Sequence, residues 1–471
     1  MQLRTPHKTY CGPRLRYRRS SRTCVRSGSS SVQSGFLTTV LLGVLRHRLE
    51  SVLRAVVLWS VLFCLGMPAW AEHLPQNVSG EAVFRGSYWR DRNTRVINPT
   101  VDIRQQTASG FAVTGSYGLD AITSASVAAG ATSDEPFTEL RHEVGFGTEI
   151  PLVGKSTVSA GYGYSSESDY FSHTASLRAK VSLFQENTIL RVGGDYTHSS
   201  VGKRLGPTGY LNMGILHEGH AIAGWTQVLG RSLIASLTYE LFVLSGYQNN
   251  PYRPVSVAGE RREFENLPTS RIRHAFALSS HKLFGLPGAL VPFVVLRPAL
   301  RVFTDSWGVS SVSPEVALHL PIGPFELRGL LGYFRQWEAS FYRSNCGEQP
   351  RVFPGSPCYA ERGVEFGQTT DAMGRTSPFL AYTSDPKLGS YSTLTTELQI
   401  KWRMTVFSRL GPVGEHLSRS VIELSGGLWF AQDAVGNQFG IPFVANEEVG
   451  VAGCAAFCGA GFAHLGLYVP L

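Results

Sequence analysis

Four carboxylates, Asp120, Asp305, Glu338 and Asp385, stand where alternating apolar segments break off into polar chain, in company with Arg253, Arg343 and His274. A carboxylate pair with an imidazole can move protons, so a hydrolytic acid/base site is one chemistry open to them. The other reading is structural, with opposite charges bracing one connection against another. The second is adopted, because the chain has no Gly-x-Ser-x-Gly, no His-Glu-x-x-His and no phosphate-cradling glycine loop. No catalytic residue, cofactor or metal site is expected. Cys346 and Cys358 form one close pair and Cys454 and Cys458 another, with no His or carboxylate at ligand spacing beside either. An even count in an oxidising compartment predicts a disulfide within each pair.

The segments that must position these residues alternate with a period of two. In "HTASLRAKVSLF" (173–184), Ala175, Leu177, Ala179, Val181 and Leu183 share one face, opposite Arg178 and Lys180. In "LTTELQIKWRMT" (394–405), Leu398, Ile400 and Trp402 oppose Glu397, Lys401 and Arg403. Such alternation marks strands with one apolar and one polar face. No stretch offers the roughly 18 uninterrupted apolar residues of a membrane helix. Only 17% of residues are charged, below the roughly 25% usual for soluble domains.

The connections sort by side. Those at 108–110, 150–155, 184–187, 229–231 and 321–324 are short; those at 119–136, 199–215, 246–269, 338–390 and 431–460 are long and polar. Sixteen strands can be placed, with fourteen the alternative where pattern alone sets the boundaries, and every long connection then falls on one end. A soluble sandwich has no reason to sort its loops this way, whereas a transmembrane barrel does. Lipid cannot satisfy free backbone groups, so the sheet must also close. The fold class expected is all-β, a transmembrane antiparallel β-barrel of about 16 strands. Aromatics at strand ends, Tyr88, Trp89, Trp307, Trp337, Tyr342 and Tyr391, are assigned to a rim girdle.

Charge and leader fix the compartment. The formal net charge of +8 resides in residues 1–71, which hold 11 Lys/Arg against Glu50, so nothing in the body suggests a nucleic-acid partner. Arg46, Arg48 and Arg54 precede the apolar run "AVVLWSVLFCLGM" and an Ala69-Trp70-Ala71 cleavage site, the order of a signal peptide. No Met lies between Met1 and Met67, and two readings stand: a translation start near Val44 or Val52, which leaves a signal peptide of ordinary length, or an extended basic n-region. The organisation expected is a leader over 1–71 and a barrel over 72–471, exported to a bacterial outer membrane. The last residues, "HLGLYVPL", resemble the C-terminal signal read by the barrel-assembly machinery, with Leu471 where such signals usually end in an aromatic. Outer-membrane lipid and that machinery are the partners expected.

Parity assigns thirteen charges to the lumen: Arg178, Lys180, Arg191, Asp195, Glu240, Arg271, Arg273, Arg301, Glu326, Arg328, Glu397, Lys401 and Arg403. Basic residues outnumber acidic ones there, which points to anionic solutes.

Five ordered islands, "LDAITSAS" (119–126), "SGYQNNPYR" (245–253), "TDSWGVSS" (304–311), "FRQWEASFYR" (334–343) and "TSDPKLGSYST" (383–393), resemble a bacterial domain-of-unknown-function family of outer-membrane β-barrels. The similarity covers most of residues 81–406. Thr123 and Ser124 replace the family's Ser-Gly, and "LRVF" (300–303) stands where its Tyr-Arg-Tyr-Tyr is usual. The resemblance implies location and fold and lends no catalytic residue. Parity places the islands at strand-to-loop junctions on the long-loop side, so Asp120, Tyr247, Asn250, Pro251, Tyr252, Arg253, Asp305, Trp307, Tyr342 and Asp385 form the expected outer-rim motif. Two functions stand: a pore or solute channel whose mouth the loops 246–269 and 338–390 shape, and a non-conducting barrel whose outer loops hold a surface or envelope partner. The solute or ligand is not legible.

Overall fold

A computed structural model describes residues 78–90, 94–124, 137–205, 209–252, 254–257, 261–288, 291–342, 364–370, 373–383, 385–409, 411–433 and 459–471. The leader with Ala69 and Ala71, Arg253, and the four cysteines of the body lie outside the described residues.

The alternating segments become strands β1 (Val78–Arg90), β2 (Thr94–Thr107), β3 (Ala112–Ser124), β4 (Phe137–Pro151), β5 (Thr157–Ser166), β6 (Tyr170–Leu183), β7 (Thr188–Leu205), β8 (Gly209–Gly230) and β9 (Leu233–Gly246). After a small hairpin, β10 (Pro254–Val257) and β11 (Arg261–Phe264), the wall resumes with β12 (Ser270–Gly285), β13 (Phe293–Asp305), β14 (Ser310–Ile322) and β15 (Phe325–Trp337). A second hairpin, β16 (Val364–Thr370) and β17 (Thr376–Ala381), precedes β18 (Tyr391–Arg403), β19 (Val421–Asp433) and β20 (Gly459–Pro470). Sixteen of these form one closed barrel, each strand paired with its neighbours in chain order and β20 returning to β1. All the wall pairings are antiparallel, and the seam runs from Glu81 opposite Pro470 to Arg90 opposite Gly461. The fold is therefore the expected all-β barrel, with sixteen strands rather than fourteen.

Parity separates the two faces. Side chains on one face, among them Phe146 at 64%, Leu177 at 61% and Leu398 at 57% exposure, are large, apolar and uncovered. A contiguous apolar surface of this extent is not tolerated in water and requires lipid. The opposite face carries the ion pairs described below.

Two expectations about connections need correcting. Residues 199–215 are not a long loop, since β7 and β8 stay paired out to Leu205 opposite Gly209. Their register slips between Val201 and Gly202, and the bulge is steadied by the Gly214 N–H donating to the Asn212 side chain at 3.1 Å. A bulge breaks period-two alternation without ending the strand, and so reads as loop in one dimension. On the short-turn side, β18 and β19 are joined by a short helix, α1 (Gly411–Ser418), which alternation gave no means of seeing.

Gly246 shows why the opening of the second island is a glycine. Its φ is +119°, and an added Cβ would sit 2.1 Å from the Ile215 carbonyl oxygen. Neither the dihedral nor the backbone contact can yield to an L side chain. Gly246→Ala is expected to unpair the end of β9 from β8 while leaving the rest of the wall, and loss of amide protection confined to residues 242–246 in hydrogen exchange checks it.

Candidate functional site: the outer mouth and the charged interior

The outer mouth carries a small hydrophobic core of its own. Asp305 ends β13 with its side chain fully buried. Its Oδ1 accepts the Trp307 and Val309 N–H groups, both at 2.9 Å, which folds the tight turn to β14. Arg271, from β12, donates its Nε to Asp305 Oδ2 at 2.7 Å and its Nη2 to the same oxygen. The guanidinium lies 4.1 Å from the Trp307 ring centroid, and the indole N–H donates to the Ser270 carbonyl at 2.9 Å. Trp307 meets Phe341 edge-on at 5.4 Å, and Phe341 meets Phe366 the same way. Leu267, Val309, Ala339, Ala381 and Leu388 complete this core.

The polar residues of the second island satisfy the backbone of this assembly. Gln248 donates to the Pro268 carbonyl at 3.1 Å, Asn249 accepts the Leu267 N–H at 2.6 Å, and Asn250 accepts the Tyr252 N–H at 2.9 Å. Glu265, only 3% exposed, accepts the Asn250 N–H on one oxygen and the Thr383 hydroxyl on the other at 2.8 Å. Thr383 in turn accepts the Asp385 N–H at 3.0 Å, and Asp385 accepts the Lys387 N–H at 3.0 Å. Gln336 donates to the Lys387 and Gly389 carbonyls at 2.9 and 2.8 Å. Four of the five islands thus meet in one structure. Trp307, at 2% exposure, is not a girdle aromatic as expected, and Tyr342 is packed against the same core. Tyr391, intermediate in exposure, is in ring contact with Phe334, while Tyr88 and Trp337 remain exposed. The loops bury Trp307 and pack Tyr342 against the same apolar centre, which strand parity does not reveal.

Asp120 works elsewhere on the rim, accepting from Asn98 at 2.8 Å and from Arg141 at 2.9 Å. Nearby, Glu139, Glu167 and Asp169 bring carboxylate oxygens within 4.8 Å of one another. Tyr252 of the second island donates its hydroxyl to Asp169 and accepts the Arg204 N–H at 2.6 Å, tying the 247–252 segment across to the turn between β5 and β6. Burial, then the neighbouring Glu139, pushes the Glu167 carboxyl up to about 7 against the pull of Arg141. Burial also holds the Tyr252 phenol above its ordinary range, with Asp169 adding to it. Glu139, Glu167, Asp169 and Glu265 were not singled out in the sequence, although parity alone would have set Glu139 beside Arg141 on the inward face. His274, considered for acid/base work, bonds Tyr239 on the outward face, and Asp305 has its oxygens occupied by Arg271 and the turn.

Inside the wall most of the predicted charges are paired across strands. Arg178 donates to Asp195 at 2.9 Å, and Asp195 also meets His220 at 2.8 Å. Arg301 donates to Glu240 at 3.0 Å, and Arg328 meets Glu397 at 3.4 Å. Lys401 meets Glu423 at 3.2 Å, and Glu326 meets His319 at 3.1 Å. Lys180 stands opposite Arg191, which donates to Thr226 at 3.3 Å. Arg273 lies two positions along β12 from Arg271 with its Nε buried and unbonded. A cavity of about 700 Å³ inside the wall is lined by Glu81, Asp102, Glu149, Asp195 and Glu218 against Arg104 and Arg178. A second, of about 550 Å³ at the short-turn end, is lined by Glu81, Glu326 and Glu423 against Lys401, Arg403 and Arg419, so Glu81 borders both. The expected basic excess is thus reversed in the larger cavity, because Glu81, Asp102, Glu149 and Glu218 were left out of the sequence tally.

No curated protein matches the chain. Among solved structures it is similar to a bacterial polysaccharide outer membrane secretin, at 10% identity over 83% of this chain and 98% of that one, with a TM-score of 0.41. It is similar to OccK7 (OpdD) from Pseudomonas aeruginosa at 11% identity, over 84% and 99% of the two chains, with a TM-score of 0.39. Its likeness to CdiB from Acinetobacter baumannii has 10% identity, covers 84% of this chain and 60% of that one, and has a TM-score of 0.42. Residues 104–416 match the family described as protein of unknown function (DUF3570), a span that contains all five islands. With most of its length in that match and its islands gathered at the mouth of a closed barrel, the chain belongs to the DUF3570 family.

Proposed function

We propose that the protein is a bacterial outer-membrane channel for small polar solutes, with a mild preference for cations. The observation that carries this reading is the acid-rich cavity within a closed wall whose outer face is apolar. Five carboxylates against two guanidiniums line that cavity, and low-dielectric walls around it focus their field on a solute inside. The loop core at the mouth shapes entry, since it rises from the connections following β9, β13 and β15.

Residues 72–471, refolded into a planar bilayer, should give discrete conductance steps and a reversal potential on the cation side under a salt gradient. Asp195→Asn combined with Glu218→Gln should move that potential towards the anion side without abolishing the steps. A folded barrel that stays silent sinks the channel reading. The alternative, a non-conducting barrel whose outer loops hold a surface partner, is favoured by a different observation: the mouth loops are built around a buried Trp307–Phe341 core rather than left as simple polar connections.

A further inference from the structure

The outward face of the wall repeats one device four times. Tyr117 bonds His142 at 3.0 Å between β3 and β4, and Tyr162 bonds His173 at 2.7 Å between β5 and β6. Tyr196 bonds His217 at 2.7 Å between β7 and β8, and Tyr239 bonds His274 at 2.9 Å between β9 and β12. In each, the phenol oxygen meets imidazole Nδ1. Each histidine stands opposite the residue two positions beyond its tyrosine: His142 opposite Leu119, His173 opposite Tyr164, His217 opposite His198 and His274 opposite Leu241. The four pairs therefore form a diagonal belt over eight consecutive strands. That it faces outward follows from alternation, because His142, His173, Tyr196 and His274 share strand parity with the exposed apolar residues Phe146, Leu177, Val192 and Phe276. Tyr117, Tyr162 and Tyr196 are about half exposed, at 46%, 48% and 52%.

The height of the belt is set by strand length. From the four histidines to the short-turn ends of β4, β6, β8 and β12, at Pro151, Leu183, Gly230 and Gly285, the wall is largely apolar. At about 3.3 Å per residue and a tilt of about 40°, those distances run from roughly 23 to 33 Å, on the order of the height of the apolar band of a membrane barrel. The belt thus lies where the hydrocarbon of the far leaflet gives way to headgroups. Every Asp and Glu of these eight strands occupies an inward position. The outward belt is consequently free of anions and rich in donors.

The pair is a donor in both of its protonation states. When the phenol donates to Nδ1, the neutral imidazole keeps its Nε2–H to give; when the imidazole is protonated, Nδ1–H donates to the phenol oxygen and both Nε2–H and the phenol hydrogen are available. We propose that the Tyr–His belt is a binding surface for phosphate-bearing lipid headgroups of the outer leaflet, one headgroup seated at each hairpin. A phosphate oxygen suits the site because it accepts without donating and becomes a stronger partner as the imidazole gains its proton. The lipid is the source the position favours, since its phosphate is held at this height by its own acyl chains.

This inference rests on the membrane reading, and the test separates the two. The full barrel and H142Q/H173Q/H217Q/H274Q are inserted into bilayers of galactolipid, with and without a minority of phosphatidic acid. Insertion is read from the heat-sensitive migration of the folded band, and retained lipid by native mass spectrometry. The wild type should hold phosphatidic acid, and the variant should hold it at least roughly tenfold more weakly. Galactolipid retention should be the same in both, and inorganic phosphate added to galactolipid bilayers should not be retained. Equal retention of phosphatidic acid by an inserted wild type and variant overturns the inference alone, as does a wild type that retains a second copy of itself in place of lipid. A barrel that inserts in no bilayer overturns the membrane reading and this inference with it. Should the histidine variant fail to fold, Y117F/Y162F/Y196F/Y239F removes the phenol donors and must show the same direction of change.

Discussion

Asp305→Ala will unravel the loop core at the mouth and leave the barrel standing. The substitution strips Arg271 of its partner while the guanidinium stays buried beneath Trp307, and it also removes the acceptor for the Trp307 and Val309 N–H groups. Removing one partner of a buried pair costs about 3–5 kcal/mol, because the remaining charge is left without compensation. That cost falls on residues 247–252, 264–269, 306–309, 338–342, 373–383 and 385–390, which pack around this one small core. Rapid proteolysis within 364–383, with the heat-sensitive migration of the barrel unchanged, is the expected result. Protection equal to wild type would mean that Arg271 finds another partner. The paired replacement Arg271→Met with Asp305→Leu should recover much of the loss, since it leaves no charge stranded, though the turn to β14 still lacks its acceptor.

Trp307→Ala is the second large effect. The indole is 2% exposed and touches Arg271 and Phe341, so its removal opens a cavity in a core too small to collapse around it. Deleting a large buried aromatic costs about 3–5 kcal/mol. Trp307→Phe should retain most of the packing and lose the hydrogen bond to Ser270, for about 1 kcal/mol. The same proteolysis assay ranks alanine far below phenylalanine. The alanine changes at 305 and 307 should not add, because both act through Arg271. A double variant no more labile than either single one is the signature of that shared dependence.

Alternation in segments such as 173–184 carries the side of the sheet on which each residue lies, because the pleat has a period of two. It therefore revealed the strands, the closed wall and the inward place of Arg178 and Asp195. It carries nothing about which residue lies across the gap. That depends on register, which hairpin turns and the stagger of the whole barrel set together. So the union of Arg328 with Glu397, or of Lys401 with Glu423, had to wait for the structure. The mouth was legible in composition only. The Asn250 side chain bonds backbone locally, at the Tyr252 N–H, but those of Gln248 and Asn249 reach Pro268 and Leu267, beyond an intervening hairpin. Trp307 was misplaced because a tryptophan at a strand end looks the same in sequence whether it faces lipid or a loop core.

The seam between β1 and β20 has a kinetic consequence. Leu471 and Gly80 exchange backbone hydrogen bonds at 2.7 and 3.2 Å, so the first strand of the wall is completed by the final residue of the chain. Every other wall pairing joins strands that follow one another around the wall, the widest gap being residues 338–390 between β15 and β18; this one closes a loop of nearly the whole body, at an entropic cost on the order of 5 kcal/mol. Ring closure makes the contacts of greatest sequence separation among the described residues, and contacts of that kind form slowly. Until it forms, β1 and β20 are both bare edges, each able to template the wrong neighbour. The lifetime of the unclosed sheet, more than the stability of the finished cylinder, sets how much of the protein is lost to aggregation.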